Sequence, residues 1–275
     1  MIEIRNLSFE FEKRKILKSI NFNIEKGECI LIAGKNGAGK TTLLRCLSGV
    51  YNKHGGEILL DGKSIGPKDR DKIGYLPSSL SLYDKMKIGE AIEFHKRVYS
   101  NFSLIDILTY KLEENRKIEE LSKGEKVLFY LILTLSHDPS YFFIDDVLHF
   151  LDPYLREIFL NILIEKMEEK KLSIIMSSQT FSEIEGLPTQ IIILDRGEIV
   201  LNENIETIKK TYVKITAKEI PDNLPVVYKT DWDSFEEAYV YPYSENFSGD
   251  FKVEFLRLSD IIKSIIGGNY AKKRD

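Results

Sequence analysis

A glycine-rich loop between a predicted strand and a predicted helix constrains this chain more than any other feature. The apolar run at 29–33 predicts a buried strand, and the apolar spacing within residues 42–47 predicts a helix. Between them the sequence fits G-x-x-x-x-G-K-[ST], and this placement predicts a phosphate-binding loop rather than a chance glycine cluster. Its residues are Gly34, Lys35, Asn36, Gly37, Ala38, Gly39, Lys40, Thr41 and Thr42.

The residue types of this loop explain how it would hold a nucleoside triphosphate. Glycines let the backbone turn tightly and point its N–H groups at an anion, and the following helix adds the positive end of its dipole. Lys40 would place its charge on the β- and γ-phosphates, and the Thr41 hydroxyl would ligate a bridging Mg²⁺. The loop alone predicts binding of a nucleoside triphosphate and does not say which machine uses it.

Composition excludes several classes of protein. The chain has 275 residues, of which 43% are hydrophobic, so it can bury a large core. Its net charge of −4 argues against a dedicated nucleic-acid binder, which is usually strongly basic. Cys29 and Cys46 are expected to be small buried residues without a disulfide, in a reducing cytoplasm. The longest apolar run, 127–135, is too short to span a bilayer, so another chain would supply any membrane spans.

The order of patterns along the chain predicts an α/β core with a small appendage. Residues 2–32 alternate as β-strands around a turn at 13–15, and Asp61-Gly62 predicts a tight hairpin turn. A mostly helical block is expected over 84–138, ending near Leu135. Beyond it we expect buried strands at 141–146 and 172–178, with a helix at 153–171 between them. From about residue 211 the pattern changes, with strands predicted at 212–216 and 251–255 and a helix at 259–266.

Two further places carry candidate chemistry. Asp145 and Asp146 follow a buried strand at its carboxyl end, where open α/β sheets bind ligands, and would hold Mg²⁺ through water and orient the attacking water, respectively. Ser122 and Gly124 stand just before an apolar helix, where they predict either a second anion site or an ordinary helix cap.

Taken in order, these residues resemble the nucleotide-binding subunit of an ABC transporter over about residues 2–205. The loop at 34–42 matches the family's Walker A motif and 141–146 matches Walker B. Residues 121–125, Leu-Ser-Lys-Gly-Glu, resemble the LSGGQ signature, and 151–152 match the D-loop. Gln179 falls at the switch-histidine position. Phe11 aligns with the aromatic residue that stacks on adenine, although Phe9 competes for that role.

The resemblance implies a P-loop NTPase fold of the ABC type. We expect a mixed or parallel sheet core, an antiparallel β subdomain and a helical subdomain within residues 1–210. Residues 211–275 would form a small C-terminal α+β extension similar to that of small bacterial ABC exporter ATPases. The implied ligands are ATP and Mg²⁺, the metal being held by Thr41, Asp145 and Ser78.

The family also implies partners. Two subunits, either identical or paired with a different ABC subunit, would work head to tail, so that Ser122, Gly124 and Glu125 of one contact ATP on the loop of the other. The helical subdomain would face a membrane permease at the cytoplasmic face of the cell membrane. No nucleic acid is expected.

Four departures from the family pattern cluster on the hydrolytic side of the site. Asp146 replaces the usual catalytic Glu, Ser78 stands at the Q-loop glutamine, and Gln179 replaces the switch histidine. Within the signature, Glu125 replaces Gln and Lys123 replaces the first Gly. Together with Lys40, the residues Asp146 and Gln179 are the candidate catalytic groups. Because misplacing a water-positioning group by about 1 Å can cost on the order of 100-fold in rate, we predict tight Mg-ATP binding with slow hydrolysis.

Three functions remain open from the sequence. The first is the energising ATPase of a membrane exporter. The second is a nucleotide-gated regulatory or immunity subunit with very slow hydrolysis, which the four departures favour. The third is an ABC ATPase acting on nucleic acid or ribosomes, which the single domain and acidic charge disfavour.

Overall fold

The computed structural model describes residues 1–81, 83–105, 112–178, 184, 186–247 and 249–267. The strands are β1 Ile2–Phe11, β2 Arg14–Ile24, β3 Cys29–Gly34, β4 Gly55–Leu60, β5 Lys63–Ser64, β6 Ile73–Leu76, β7 Tyr141–Asp145, β8 Ser173–Ser177, β9 Gln190–Asp195, β10 Glu198–Asn204, β11 Val213–Ala217, β12 Val226–Asp231, β13 Glu236–Val240 and β14 Phe251–Phe255. The α-helices are α1 Lys40–Leu47, α2 Ile88–Val98, α3 Lys123–Leu135, α4 Pro153–Lys170, α5 Ile205–Thr211 and α6 Leu258–Gly267, with 3₁₀ turns at Pro67–Lys72, Ile118–Glu120 and Leu148–Phe150.

A six-stranded sheet in the order β10-β9-β3-β8-β7-β6 forms the centre of the molecule. Its strands from β9 to β6 run parallel, and β10 pairs antiparallel to β9 at one edge. This mixed sheet confirms the predicted core. The parallel strands are nearly continuous apolar runs because both faces of the sheet are covered.

Alternate residues of each central strand serve two different hydrophobic cores. Leu31 and Ile144 face a core that they share with α3 and α4, whereas Ile30 and Phe143 face a core shared with α1 and a second sheet. That second sheet is antiparallel, in the order β2-β1-β4-β5, and confirms the predicted β subdomain. The two layers fix the end of β3, where the glycine loop begins, between β9 and β8.

The predicted hairpin turns are present with one shift. Asp61 and Gly62 have φ of 50° and 78°, the left-handed pair that closes a two-residue hairpin between β4 and β5. The turn expected at 13–15 instead uses Glu12 and Lys13, with φ of 48° and 65°, and β2 begins at Arg14.

The described residues of the region 84–138, which was predicted to be mostly helical, include irregular backbone as well as helices. Within its described residues, α2 and α3 are separated by an irregular stretch with one short 3₁₀ turn at Ile118–Glu120, and residues 106–111 lie outside the described part. The apolar periodicity marks both helices, and the described residues between them contribute Leu112 and Ile118 to the hydrophobic core without forming a further α-helix.

Beyond α5, a four-stranded antiparallel sheet in the order β12-β13-β11-β14 follows. The sequence predicted β11, β14 and α6 but missed β12 and β13, because prolines and polar turns surround these two short strands and the alternation within each is weak. The helix α6 does not belong to a separate small core. Its residues Ile261, Ile262 and Ile265 join the same core as Ile208 and Tyr212, beneath the central sheet.

Candidate nucleotide site

The glycine loop connects β3 to α1 with backbone geometry that side chains would obstruct. Gly39 caps α1 with φ of 110°, and a Cβ there would lie 2.9 Å from Leu17 Cδ2. A Cβ on Gly34 would lie 2.4 Å from the carbonyl oxygen of Leu194. Such distances are shorter than van der Waals contact, so the fold requires glycine at both positions.

Lys40 is held inside the loop that precedes it. Its side chain is buried, and Nζ donates hydrogen bonds to the carbonyl oxygens of Gly34 at 2.8 Å and Lys35 at 3.1 Å. Burial lowers the pKa of Lys40, while the nearby charges of Asp146 and Asp145 act in the opposite direction. The ammonium group therefore lies between the loop backbone and the acids at the end of β7.

Asp145 accepts three hydroxyl hydrogen bonds from three separate elements. Thr41 Oγ1 and Ser177 Oγ each donate to Oδ1 at 3.0 Å, and Ser78 Oγ donates to Oδ2 at 3.1 Å. Asp145 as a whole residue is 1% exposed. These hydroxyl and carboxylate oxygens are the hard donors that Mg²⁺ prefers, so the residues present fit the metal that the family uses.

Ser177 is the member of this cluster that the sequence reasoning missed. It lies opposite Asp145 in the parallel pairing of β7 and β8, which places both side chains at the same end of the sheet. The available signal was its position at the carboxyl end of a buried strand that neighbours the acidic one.

Asp146 has a left-handed backbone, with φ of 50°, and its N–H donates to the carbonyl oxygen of Ser177 at 3.1 Å. Its Oδ1 lies 3.9 Å from His149 Nδ1. Aspartate tolerates this conformation better than most residues, because its short polar side chain can hydrogen-bond locally. The backbone turn therefore directs Asp146 differently from Asp145, although the two are adjacent.

The loop and both acids face one open cavity of about 450 Å³. Its described lining residues come from the β1–β2 hairpin side, the glycine loop, the start of α1 and the end of β7. They are Arg14, Ile16, Asn36, Gly37, Gly39, Lys40, Thr41, Thr42, Asp145 and Asp146. The structure thus brings together most of the sequence-predicted loop residues with both candidate acids.

The two aromatic candidates for base stacking differ in exposure. Phe9 is buried and stacks on Tyr51, with ring centroids 4.9 Å apart and planes at 9°. Phe11 is 58% exposed and pairs with Arg14, which lines the cavity. Phe9 is therefore committed to packing, and Phe11 is the aromatic face available near the loop.

The signature-like segment forms a capped helix start. Ser122 is exposed and caps α3, its Oγ accepting from Glu125 N at 3.2 Å, while Ser122 N donates to Glu125 Oε2 at 2.7 Å. This reciprocal pair is a capping box. A Cβ on Gly124 would lie 2.7 Å from Leu155 Cδ1, so glycine permits the close approach of α3 to α4.

Ser122, Gly124 and Glu125 do not line the cavity at the glycine loop among the residues described for this chain. The resemblance implies contact between them and the triphosphate across two subunits, and their placement here is compatible with that expectation. Of the D-loop pair, Leu151 is buried and Asp152 caps α4, its Oδ1 accepting from Leu155 N at 2.8 Å. Gln179 lies outside the described residues.

The chain combines a mixed sheet, a glycine loop after β3, an acid cluster at the end of β7 and a capped signature helix. These features define a P-loop NTPase of the ABC class. Comparison with known proteins agrees with this assignment. Residues 17–149 match the family described as ABC transporter. The chain belongs to this family, as an ATP-binding protein of ABC transporters.

Two relatives illustrate the similarity. The ABC transporter ATP-binding protein YtrB of Bacillus subtilis is 30% identical over 221 residues, which are 78% of this chain and 76% of the relative. The lantibiotic transport ATP-binding protein SrtF of Streptococcus pyogenes is 30% identical over 216 residues, covering 75% of this chain and 92% of the relative.

A solved structure described as the ATP-binding subunit of an ABC transporter superposes with a TM-score of 0.69 at 21% identity. It covers 76% of this chain and 92% of that one, and supports the fold. None of the helices in the described part of the chain is long and apolar enough to cross a bilayer.

Proposed function

We propose that this chain binds Mg-ATP in a head-to-tail pair with a second copy or another ABC subunit. It would hydrolyse ATP slowly to drive export through a separate membrane permease, at the cytoplasmic face of the membrane. The observation that carries the proposal is the Asp145 cluster, in which Thr41 and Ser78 both donate to one buried carboxylate beside the glycine loop.

Three oxygen-bearing side chains would hold the metal, namely Thr41, Asp145 and Ser78. When bound, Mg²⁺ would neutralise charge on the phosphates. Lys40 would turn its ammonium group from the loop carbonyls toward the triphosphate, and the loop N–H groups would bind the phosphate oxygens. Phe11 would stack on the base.

Slow hydrolysis is supported by how the hydrolytic side is built. Asp146 is one methylene shorter than glutamate, and its left-handed backbone fixes the direction of that short side chain. Ser78 donates its hydroxyl to Asp145. A serine side chain is shorter than the glutamine usual in the family, and therefore extends less far toward the attacking water. The groups proposed to bind the nucleotide are thus present, while Asp146 and Ser78, which would orient the attacking water, have shorter side chains than the residues usual in the family.

Docking of a permease is supported by a cavity of about 340 Å³ that lies between the edge strand β6 of the central sheet and the helices α2 and α3. Tyr83, Tyr99 and Tyr130 line it, and Val50 on its rim is 54% exposed. Exposed apolar residues beside aromatic walls are typical of a protein-binding surface. This surface supports the role of the helical subdomain toward the permease that the resemblance to ABC subunits implies.

The nucleotide-gated regulatory or immunity subunit is the second candidate, and the same hydrolytic departures favour it. A single-turnover assay on the purified ATP-bound pair separates the two functions. Phosphate release within minutes supports the transporter ATPase, whereas ATP that stays intact over hours supports the regulatory subunit.

A mixing experiment tests the head-to-tail arrangement. Lys40→Ala removes the loop charge and Ser122→Arg blocks the signature, so each variant alone should fail to form an ATP-dependent pair in sedimentation. A mixture of the two can form one intact site, from the loop of the Ser122→Arg chain and the signature of the Lys40→Ala chain. ATP-dependent pairs should therefore reappear in the mixture, and Lys63→Ala, an exposed lysine on β5, should behave like wild type.

If the site were built within a single chain, the mixture would form no more ATP-dependent pairs than either variant alone. Pair formation by either variant alone, at wild-type ATP concentrations, would overturn the proposed function.

A further inference from the structure

The signature helix of this chain carries an acid where an anion is expected to bind. Glu125 lies at the third position of α3, one turn from Ser122, which in the proposed function contacts the triphosphate of the partner. A carboxylate beside a triphosphate costs binding energy through like-charge repulsion. The structure shows how this charge is balanced.

Arg116 forms a two-point ion pair with Glu125. Its Nη1 lies 2.7 Å from Oε1 and its Nη2 lies 3.3 Å from Oε2, a fork geometry that lysine cannot reproduce. Nη2 also donates to the carbonyl oxygen of Glu120 at 3.0 Å, which anchors the guanidinium to the turn just before the signature.

The pair holds the carboxylate in its charged form. Burial alone would raise the pKa of Glu125, but hydrogen bonds from Arg116 and Ser122 outweigh it and hold that pKa below its usual range. The same hydrogen bond with Glu125 raises the pKa of Arg116. Glu125 is thus a full negative charge at neutral pH, and Arg116 is the cation in direct contact with it.

The main chain of Arg116 is held independently of its side chain. Its carbonyl oxygen accepts from Ile88 N at 3.0 Å, and its N–H donates to the carbonyl oxygen of Glu113 at 3.0 Å. Removing the guanidinium therefore leaves the backbone of this segment anchored to α2, and the charge effect can be measured in a folded protein.

We propose that Arg116 is a positioning residue for nucleotide binding in trans, which neutralises and orients Glu125 so that the signature helix still accepts a triphosphate. This inference rests on the proposed head-to-tail function. Without Arg116, Glu125 would present an unbalanced charge beside Ser122 and repel the phosphates of the partner. With glutamine at 125, which keeps the capping box, Arg116 would no longer be needed.

A double-mutant cycle on ATP-dependent pair formation tests the proposal. Arg116→Ala should raise the ATP concentration needed for pairing by about tenfold when residue 125 is Glu, and by less than about threefold when the same change is made in a Glu125→Gln background. In the double variant, Arg116→Ala should add little to Glu125→Gln. The matched control is Lys117→Ala, which removes one positive charge at the next residue, whose side chain pairs with Glu119 rather than Glu125.

Salt dependence supplies a readout that a merely structural role would not move. The penalty of Arg116→Ala should shrink as ionic strength rises from about 0.1 M to 1 M, since the Debye length falls from about 10 Å to 3 Å. An equal penalty for Arg116→Ala with Glu or Gln at position 125, unchanged by salt, would overturn the inference. If the wild-type chain forms no ATP-dependent pair at all, the proposed function itself fails, which is a distinguishable result.

Discussion

Thr41 donates a hydrogen bond to Asp145 at 3.0 Å across a sequence separation of 104 residues. Thr41 lies in the first turn of α1, which follows β3, and Asp145 ends β7, so the parallel strands of the central sheet bring both residues to the same end of the sheet. This bond joins the phosphate-binding loop to the acid of the metal cluster. The conformation of the loop at Thr41 therefore depends on the position of Asp145 at the end of β7.

Lengthening the candidate base should trade stability for rate. We expect Asp146→Glu to raise the rate of phosphate release, because the carboxylate would reach further toward the attacking water. The same change should lower stability by about 1 kcal/mol, since glutamate is less suited than aspartate to the left-handed backbone at this position. Asp146→Asn, which suits the same backbone but lacks the charge, should lose turnover with little change in melting temperature. A wild-type rate above that of Asp146→Glu would contradict the prediction.

Removing the hydroxyl of Ser78 should weaken the response to metal specifically. Ser78→Ala deletes one donor to Asp145, worth about 0.5–1.5 kcal/mol, so the Mg²⁺ concentration that half-saturates ATP binding should rise about 2- to 10-fold. Binding of ATP without Mg²⁺ should not change. Ser79→Ala is the matched control and should behave like wild type, because Ser79 is exposed and its hydroxyl hydrogen-bonds with that of Ser81. Equal effects of both variants would argue against a role for Ser78 at the metal.

A buried histidine should make the fold sensitive to acid. Burial, reinforced by the nearby His137, lowers the pKa of His95 from 6.5 to about 4. The unfolded chain therefore binds a proton that the folded chain excludes, and the free energy of unfolding should fall as pH drops from 6.5 toward 4. His95→Gln should flatten this part of the stability profile, measured by denaturant unfolding at several pH values. An unaltered slope in His95→Gln would refute the explanation.

The helix α6 should contribute to the stability of the ATPase core and not only to the extension. Ile262 is fully buried in the core that also contains Ile208 and Tyr212, and Ser264 Oγ donates to Tyr212 Oη at 2.9 Å. We expect Ile262→Ala to cost about 2–5 kcal/mol and to shift a single unfolding transition. Phe255→Ala, at a side chain that is 60% exposed, should cost far less. Two separate transitions, with only the smaller one shifted by Ile262→Ala, would show that the extension unfolds on its own.

Local patterns were sufficient for most elements of the core. The strand–loop–helix at 29–47, the buried acidic strand and the Asp61-Gly62 turn each depend on neighbouring residues, and the structure confirms all three. The strands β12 and β13 were missed because their own alternation is weak, and what defines them is tertiary pairing, β13 with β11 and β12 with β13. The roles of the individual site residues stay predictions.

The sequence by itself determined which chemical groups this protein carries, since Lys40, Thr41 and Asp145 can be assigned from a motif and its flanking periodicity. Only the tertiary structure decided which groups meet. It placed Ser177 on Asp145, buried Phe9 while exposing Phe11, and paired Arg116 with Glu125. The physical reason is that a motif is written in adjacent residues, whereas a hydrogen bond between distant residues depends on sheet order and register, which no local pattern specifies.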